Sequence, residues 1–207
     1  MVCRVWRKYR ARKSTLGIWC DFVVLIAVVI LAVPSLRFLV NIGIVRLMSC
    51  QPSAVDVELY VSNTDGLDVR TPDGTDSCIL CNISRPALYN FGSLKSAQTC
   101  AELRSLNKFA LKYCHEVEVF FLTEESPDEV IPYFSSHGYV VKPLFYHRTD
   151  DFTMQHDMIS ELCSSEPATL LVNADGRVII KKFGAAKWTG KKIDHIVSLH
   201  LISEGSH

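Results

Sequence analysis

The chain predicts an α/β fold: a mixed sheet with helices on both faces, preceded by one N-terminal transmembrane helix. Three observations predict it. Apolar runs of strand length alternate with capped, helix-period segments between Pro86 and Ile202. Near the end, Ala174-Asp175-Gly176 separates two β-rich runs, a hairpin signal that closes a parallel arrangement with antiparallel strands. At the start, six cations (Arg4, Arg7, Lys8, Arg10, Arg12 and Lys13) precede an apolar run from Leu16 to Val33 that only Asp21 interrupts.

That run holds 18 residues. At about 1.5 Å per residue it is just long enough for a bilayer core of about 30 Å. Cations on its N-side predict a cytoplasmic N-terminus and a translocated C-terminal part. Residues 1–15 are therefore read as a cytoplasmic basic tail, 16–36 as the anchor, 37–75 as a juxtamembrane segment and linker, and 76–203 as the globular domain. A cleaved signal peptide is the other reading of the same charge and length. No A-x-A site follows the run, and Leu47-Met48-Ser49-Cys50 only loosely resembles a lipoprotein cleavage box. The expectation is a single-pass membrane protein whose soluble domain is extracytoplasmic, hence periplasmic in a bacterium.

Net charge is zero over the whole chain, but from Cys50 onward there are 14 Lys/Arg against 21 Asp/Glu. An acidic domain with no basic stripe argues against a nucleic-acid partner. The sequence carries neither a P-loop nor a dinucleotide-binding glycine pattern, and no cofactor is expected.

Element by element, Val55–Val61 alternates in a strand-like way inside a polar, turn-rich stretch. Pro86–Phe91 is a short buried strand. Ser96 caps a helix over Ala97–Tyr113, with Leu103, Leu106, Ala110 and Tyr113 on its apolar face and Glu102, Arg104 and Lys108 off it. Val117–Leu122 is a second buried strand. Ser126 caps a helix with Pro127 in its first turn and Gly138 at its end. Tyr139–Tyr146 is extended but holds Pro143, which places it at an edge or in a loop. Thr153–Cys163 is a third helix, Thr169–Asn173 and Val178–Phe183 form the hairpin, and Lys191–Ile202 is the last helix. Glu124-Glu125 reads as a solvated turn.

Eight cysteines are many for this length. Cys3 and Cys20 precede or lie within the anchor, and the other six fall in an oxidising compartment on this topology. Cys78-Ile79-Leu80-Cys81 is the one Cys-x-x-Cys, placed before a strand rather than at a helix start. It reads as a disulfide, within the pair or to other cysteines, as a displaced redox pair, or as half of a metal site. No second paired motif supplies further ligands, so no metal is assigned. Cys100, one turn into a helix, is a lone thiol, a small buried hydrophobe or half of a bridge.

Two segments carry a resemblance. Arg85–Asn107 (RPALYNFGSLKSAQTCAELRSLN) and Glu166–Trp188 (EPATLLVNADGRVIIKKFGAAKW) together resemble the two halves of a thioredoxin-like domain of the bacterial membrane-anchored TlpA/ResA kind. That kind comprises thiol-disulfide oxidoreductases, and the likeness runs from Arg85 to Leu201. It implies a Cys-x-x-Cys at the strand-to-helix turn, where this chain has Ser96-Ala97-Gln98-Thr99, with Ser96 and Thr99 in place of the thiols. Asn90-Phe91 and Glu102 match the pattern. The aromatic residues of the loop are replaced by Gly92, Leu94 and Lys95.

Pro167 matches the family's cis-proline. With Ala168 and the Ser96–Thr99 turn it would line a groove for an extended segment of an exported protein. If the proline loop abuts the turn, Cys163 would approach Cys100. The catalytic candidates are then Cys78, Cys81, Cys100 and Cys163. Arg85-Pro86 with Asn90-Phe91-Gly92-Ser93 is also similar to the active-site entry of iodothyronine deiodinases, which supports the same fold. The resemblance implies an oxidoreductase-like protein with a degenerate dithiol centre. The alternatives are a non-catalytic binding or assembly module, and a metallochaperone using Cys78 and Cys81.

Overall fold

The computed structural model of the protein describes residues 15–56, 58–61, 66–81, 83–147 and 157–202. The chain forms two units, Met1–Asn41 and Ile42–His207. In the first, α1 (Thr15–Ala32) buries none of its side chains. Among the described residues it is the one helix long and apolar enough to cross a membrane, which suits a single-pass anchor or a signal sequence. α2 (Pro34–Met48) follows after Val33 alone, with proline at its first position, where a missing N–H costs nothing.

Seven strands make one sheet in the second unit: β1 (Leu67–Arg70), β2 (Asp76–Ile79), β3 (Ala87–Phe91), β4 (Glu118–Thr123), β5 (Lys142–Phe145), β6 (Ala168–Val172) and β7 (Val178–Phe183). Their order is β2-β1-β5-β4-β3-β6-β7. β3, β4 and β5 run parallel, while β6 pairs antiparallel with both β3 and β7. The parallel steps are bridged by α3 (Ala97–Lys112) and α4 (Pro127–His137). Both crossovers step the same way along the sheet, and right-handed connections therefore put both helices on one face. α5 (Asp157–Ser164) returns to β6 across the other face, and α6 (Lys191–Val197) ends in a π-helical turn at Ser198–Ile202.

Alternation along the strands separates two cores. Leu88, Val119, Phe121 and Ile180 pack with Leu106 and Phe109 of α3, Phe134 of α4, and Ile193 of α6. Tyr89, Phe91, Leu122 and Leu170 face the opposite way, against Leu67 and Leu162. The helix ends follow the predicted chemistry. The Ser126 side chain accepts from the Asp128 N–H, and Gly138 closes α4 in the left-handed conformation at φ 62°.

One expectation needs correction. One strand, β1, lies inside the stretch read as linker, because Leu67 and Val69 alternate inward and pair with β2 across the Asp73-Gly74 turn. The described residues of 55–61 meet β7 through isolated bonds (Val55 N–H to Ile179 O, Val178 N–H to Leu59 O) and a bridge, Tyr60 to Arg177. β5 is inside the sheet order, yet β1 meets it only at Arg70–Phe145, so Pro143 sits where β5 remains an edge. The third helix is described from Asp157; the residues before it, 148–156, lie outside the described residues.

Candidate functional site

β3 ends at Phe91, and the chain turns through Gly92–Lys95 into α3. Ser96 sits at the N-cap in extended conformation, and its side chain accepts from the Thr99 N–H at 3.4 Å. Thr99 is fully buried, and its hydroxyl has no partner among the described residues. Gly92 leaves no room beside it: a Cβ there would stand 2.7 Å from the Thr99 methyl. The turn is closed by a residue from β4's C-terminal end, Glu125. Its carboxylate accepts from the Ser93 hydroxyl (2.7 Å) and the Leu94 N–H (2.9 Å). The Glu124-Glu125 turn thus braces the loop at the mouth of α3 rather than only facing solvent.

Opposite this turn stands Pro167, after a cis peptide bond from Glu166. Pairing of Phe91 with Ala168 brings the end of β3 and the start of β6 to the same end of the sheet. The Pro167 carbonyl accepts from the Gly184 N–H at 2.7 Å, and the Gln98 side chain reaches toward Gly184. Ala168 does not line an open groove: its side chain is fully buried and it is paired on both sides, with Phe91 and Phe183. Pro167 is buried too. The open backbone here is that of Glu166, an exposed residue whose N–H and C=O hold no hydrogen bond within the described chain. Beside it is a cleft of about 440 Å³, walled by Glu124, Glu125, Glu129 and Glu166, with Lys95 and Ser93 at its rim. Partial burial, then the charges of Glu124 and Glu125, push the Glu166 carboxyl up.

One turn below Ser96–Thr99, Glu102 departs from the helix pattern, which sets it off the apolar face. The structure leaves it 1 % exposed. Trp188 Nε1–H donates to Oε1 at 2.5 Å, Thr169 Oγ donates to the same oxygen at 3.3 Å, and Asn90 Nδ2 donates to Oε2 at 3.2 Å. Burial pushes the carboxyl up to about 7, against the opposing pull of these hydrogen bonds. Glu102 therefore ties α3 to β3, β6 and the loop after β7.

The cysteines are not gathered at this site. Cys100 is 2 % exposed and its thiol donates to the Leu94 carbonyl at 3.2 Å. Burial raises its pKa, so the helix start does not make it a ready thiolate. Cys163 belongs to the core on the opposite face of the sheet, beside Tyr146, and no bond joins it to Cys100. The sheet stands between the two residues that the proline loop was expected to bring together. Cys78 and Cys81 form a disulfide with Cα atoms 6.3 Å apart. It closes the end of β2, where Leu80 adopts φ 67° with its side chain buried. Bonded this way, the pair offers no thiolate to a metal.

No protein-family model and no curated protein matches this sequence. Solved structures do resemble the fold. A thiol:disulfide interchange protein from Bacteroides sp. is 12% identical, with a TM-score of 0.53 over 77% of this chain and 96% of that one. A DsbF homologue from Corynebacterium diphtheriae is 10% identical, with a TM-score of 0.52 over 73% and 99%. A thiol peroxidase from Chromobacterium violaceum is 19% identical, with a TM-score of 0.50 over 77% and 91%. The fold is thioredoxin-like, of the kind found in thiol:disulfide interchange proteins.

Proposed function

We propose that this chain is a membrane-anchored, extracytoplasmic thioredoxin-like protein that holds an extended segment of an exported protein without dithiol exchange at the α3 turn. The observation that carries the reading is the unpaired backbone of Glu166, directly before Pro167 and across from a helix start occupied by hydroxyls. An extended peptide laid there would pair with the Glu166 N–H and C=O in strand fashion. Ser96 would border it and, being an alcohol, would not attack a disulfide, while Thr99 lies buried beneath. The raised thiol of Cys100 supports the same conclusion. The acidic walls of the cleft favour a segment carrying Lys or Arg. Six cations before α1 support a cytoplasmic N-terminus.

The test uses a photo-reactive residue at Gln98, an exposed position facing this mouth, with defined extended peptides as probes. Cross-linking that prefers Lys/Arg-containing peptides and requires an unblocked peptide backbone is the expected result. Equal labelling by N-methylated peptides would remove strand-like capture. A second reading, a redox enzyme with a relocated centre, rests on the Cys78–Cys81 disulfide, whose Cys78 is exposed. It predicts that this bond opens reversibly while the fold stays intact.

A further inference from the structure

A second recess, of about 170 Å³, lies among the end of α2, the first half of α3 and the loop after β7. Four cations line it, Arg46, Arg104, Lys108 and Lys187, together with Ser105 and Thr189. No carboxylate lines it, although the chain from Cys50 onward carries 21 Asp/Glu. Among the described residues, none of the four is in an ion pair. Arg104 and Lys108 also stand four residues apart on one helix, an arrangement that costs a few tenths of a kcal/mol when nothing neutralises it.

The walls are fastened by hydrogen bonds. The Arg46 guanidinium donates to the Cys100 and Ala101 carbonyls at 3.3 and 3.4 Å. The Lys187 N–H donates to Cys50 O at 3.0 Å, and the Trp188 N–H to Ser105 Oγ at 3.2 Å. These bonds hold α2's last turn and the loop after β7 against α3, so the cations converge without a carboxylate to explain it.

We infer that this recess binds a phosphoryl group, borne by a lipid headgroup or free in solution. At about 30 Å³ per water the volume holds about six waters, room for a compact oxyanion with part of its hydration. Guanidinium and ammonium donors on several sides are what phosphate oxygens accept best. In sequence the recess begins at Arg46, soon after α1 ends at Ala32, which favours the headgroup as source.

The experiment places the full chain in phosphatidylcholine nanodiscs. Inorganic phosphate is titrated calorimetrically, and retention of phosphatidic acid doped into the discs is read by native mass spectrometry. The pocket variant carries Arg104→Gln, Lys108→Gln and Lys187→Gln, all at exposed positions. A control of equal charge carries Arg70→Gln, Lys142→Gln and Lys191→Gln. Binding should weaken about tenfold or more in the pocket variant, the scale of one lost charge-assisted hydrogen bond, and stay unchanged in the control. Phosphate binding with that pattern assigns the free anion. Phosphatidic acid retention without phosphate binding assigns the headgroup. Failure of the unmodified chain to bind either probe, or equal loss in both variants, overturns the inference.

Discussion

The mouth of α3 and the layer one turn beneath it differ in kind. At the mouth, Ser96 and Thr99 hold the helix start, and the Thr99 hydroxyl is left without a partner. Beneath, the Glu102 carboxyl accepts bonds from Trp188, Asn90 and Thr169, which come from three other parts of the chain. The Ser96 side chain bonds only within its own turn, so it can be exchanged without moving the sheet. A residue in the buried layer cannot, because an uncompensated buried carboxyl costs several kcal/mol. The lesson is that the buried layer of this fold is held by bonds from distant parts of the chain, while the mouth above it is held by local ones.

Placing thiols at the mouth is the strongest way to sharpen that contrast. Ser96→Cys with Thr99→Cys should take disulfide exchange at the turn from undetectable to measurable, assayed with a small disulfide substrate. The dipole and backbone N–H groups that favour a thiolate are already in place. Breaking the buried layer comes next. Trp188→Ala should destabilise by about 3–5 kcal/mol in chemical denaturation, since the residue is 1 % exposed and caps Glu102.

The same carboxyl couples stability to pH. Its folded pKa, about 7, lies above its ordinary 4.5, so the native state keeps a proton that the unfolded chain gives up. That contribution is fully present below about 4.5 and is lost as pH rises through 7. The loss is on the order of 3 kcal/mol. Glu102→Gln should flatten the difference between denaturation midpoints at pH 5 and pH 8. The smallest effect belongs to the mouth again: Ser96→Ala, a lost helix cap, should cost about 1 kcal/mol by thermal melting.

Much of the fold was legible in local pattern. The Ser96 and Ser126 caps, Gly138, the Ala174-Asp175-Gly176 turn and the strand runs each declare themselves within a few residues. The site was legible only in part. Ser96 caps α3 and Pro167 follows a cis peptide bond, both at one end of the sheet. Glu102 was misplaced because its donors lie 12, 67 and 86 residues away, beyond the reach of a helical repeat. Glu125 was missed for the same reason, its Leu94 partner being 31 residues distant. Cys100 and Cys163 could not be assigned to faces until the path of α5 was known.

The central claim, that the chain holds its partner without thiol exchange, is tested most directly by thiol trapping with mass mapping on the full chain across a series of redox buffers. The account predicts that no cysteine pair opens between about −120 and −270 mV while the sheet is intact, with Cys78–Cys81 reduced only as the fold is lost. A pair that titrates reversibly in that range, with unchanged far-UV circular dichroism, would contradict it and make the protein a thiol-disulfide enzyme with a relocated centre.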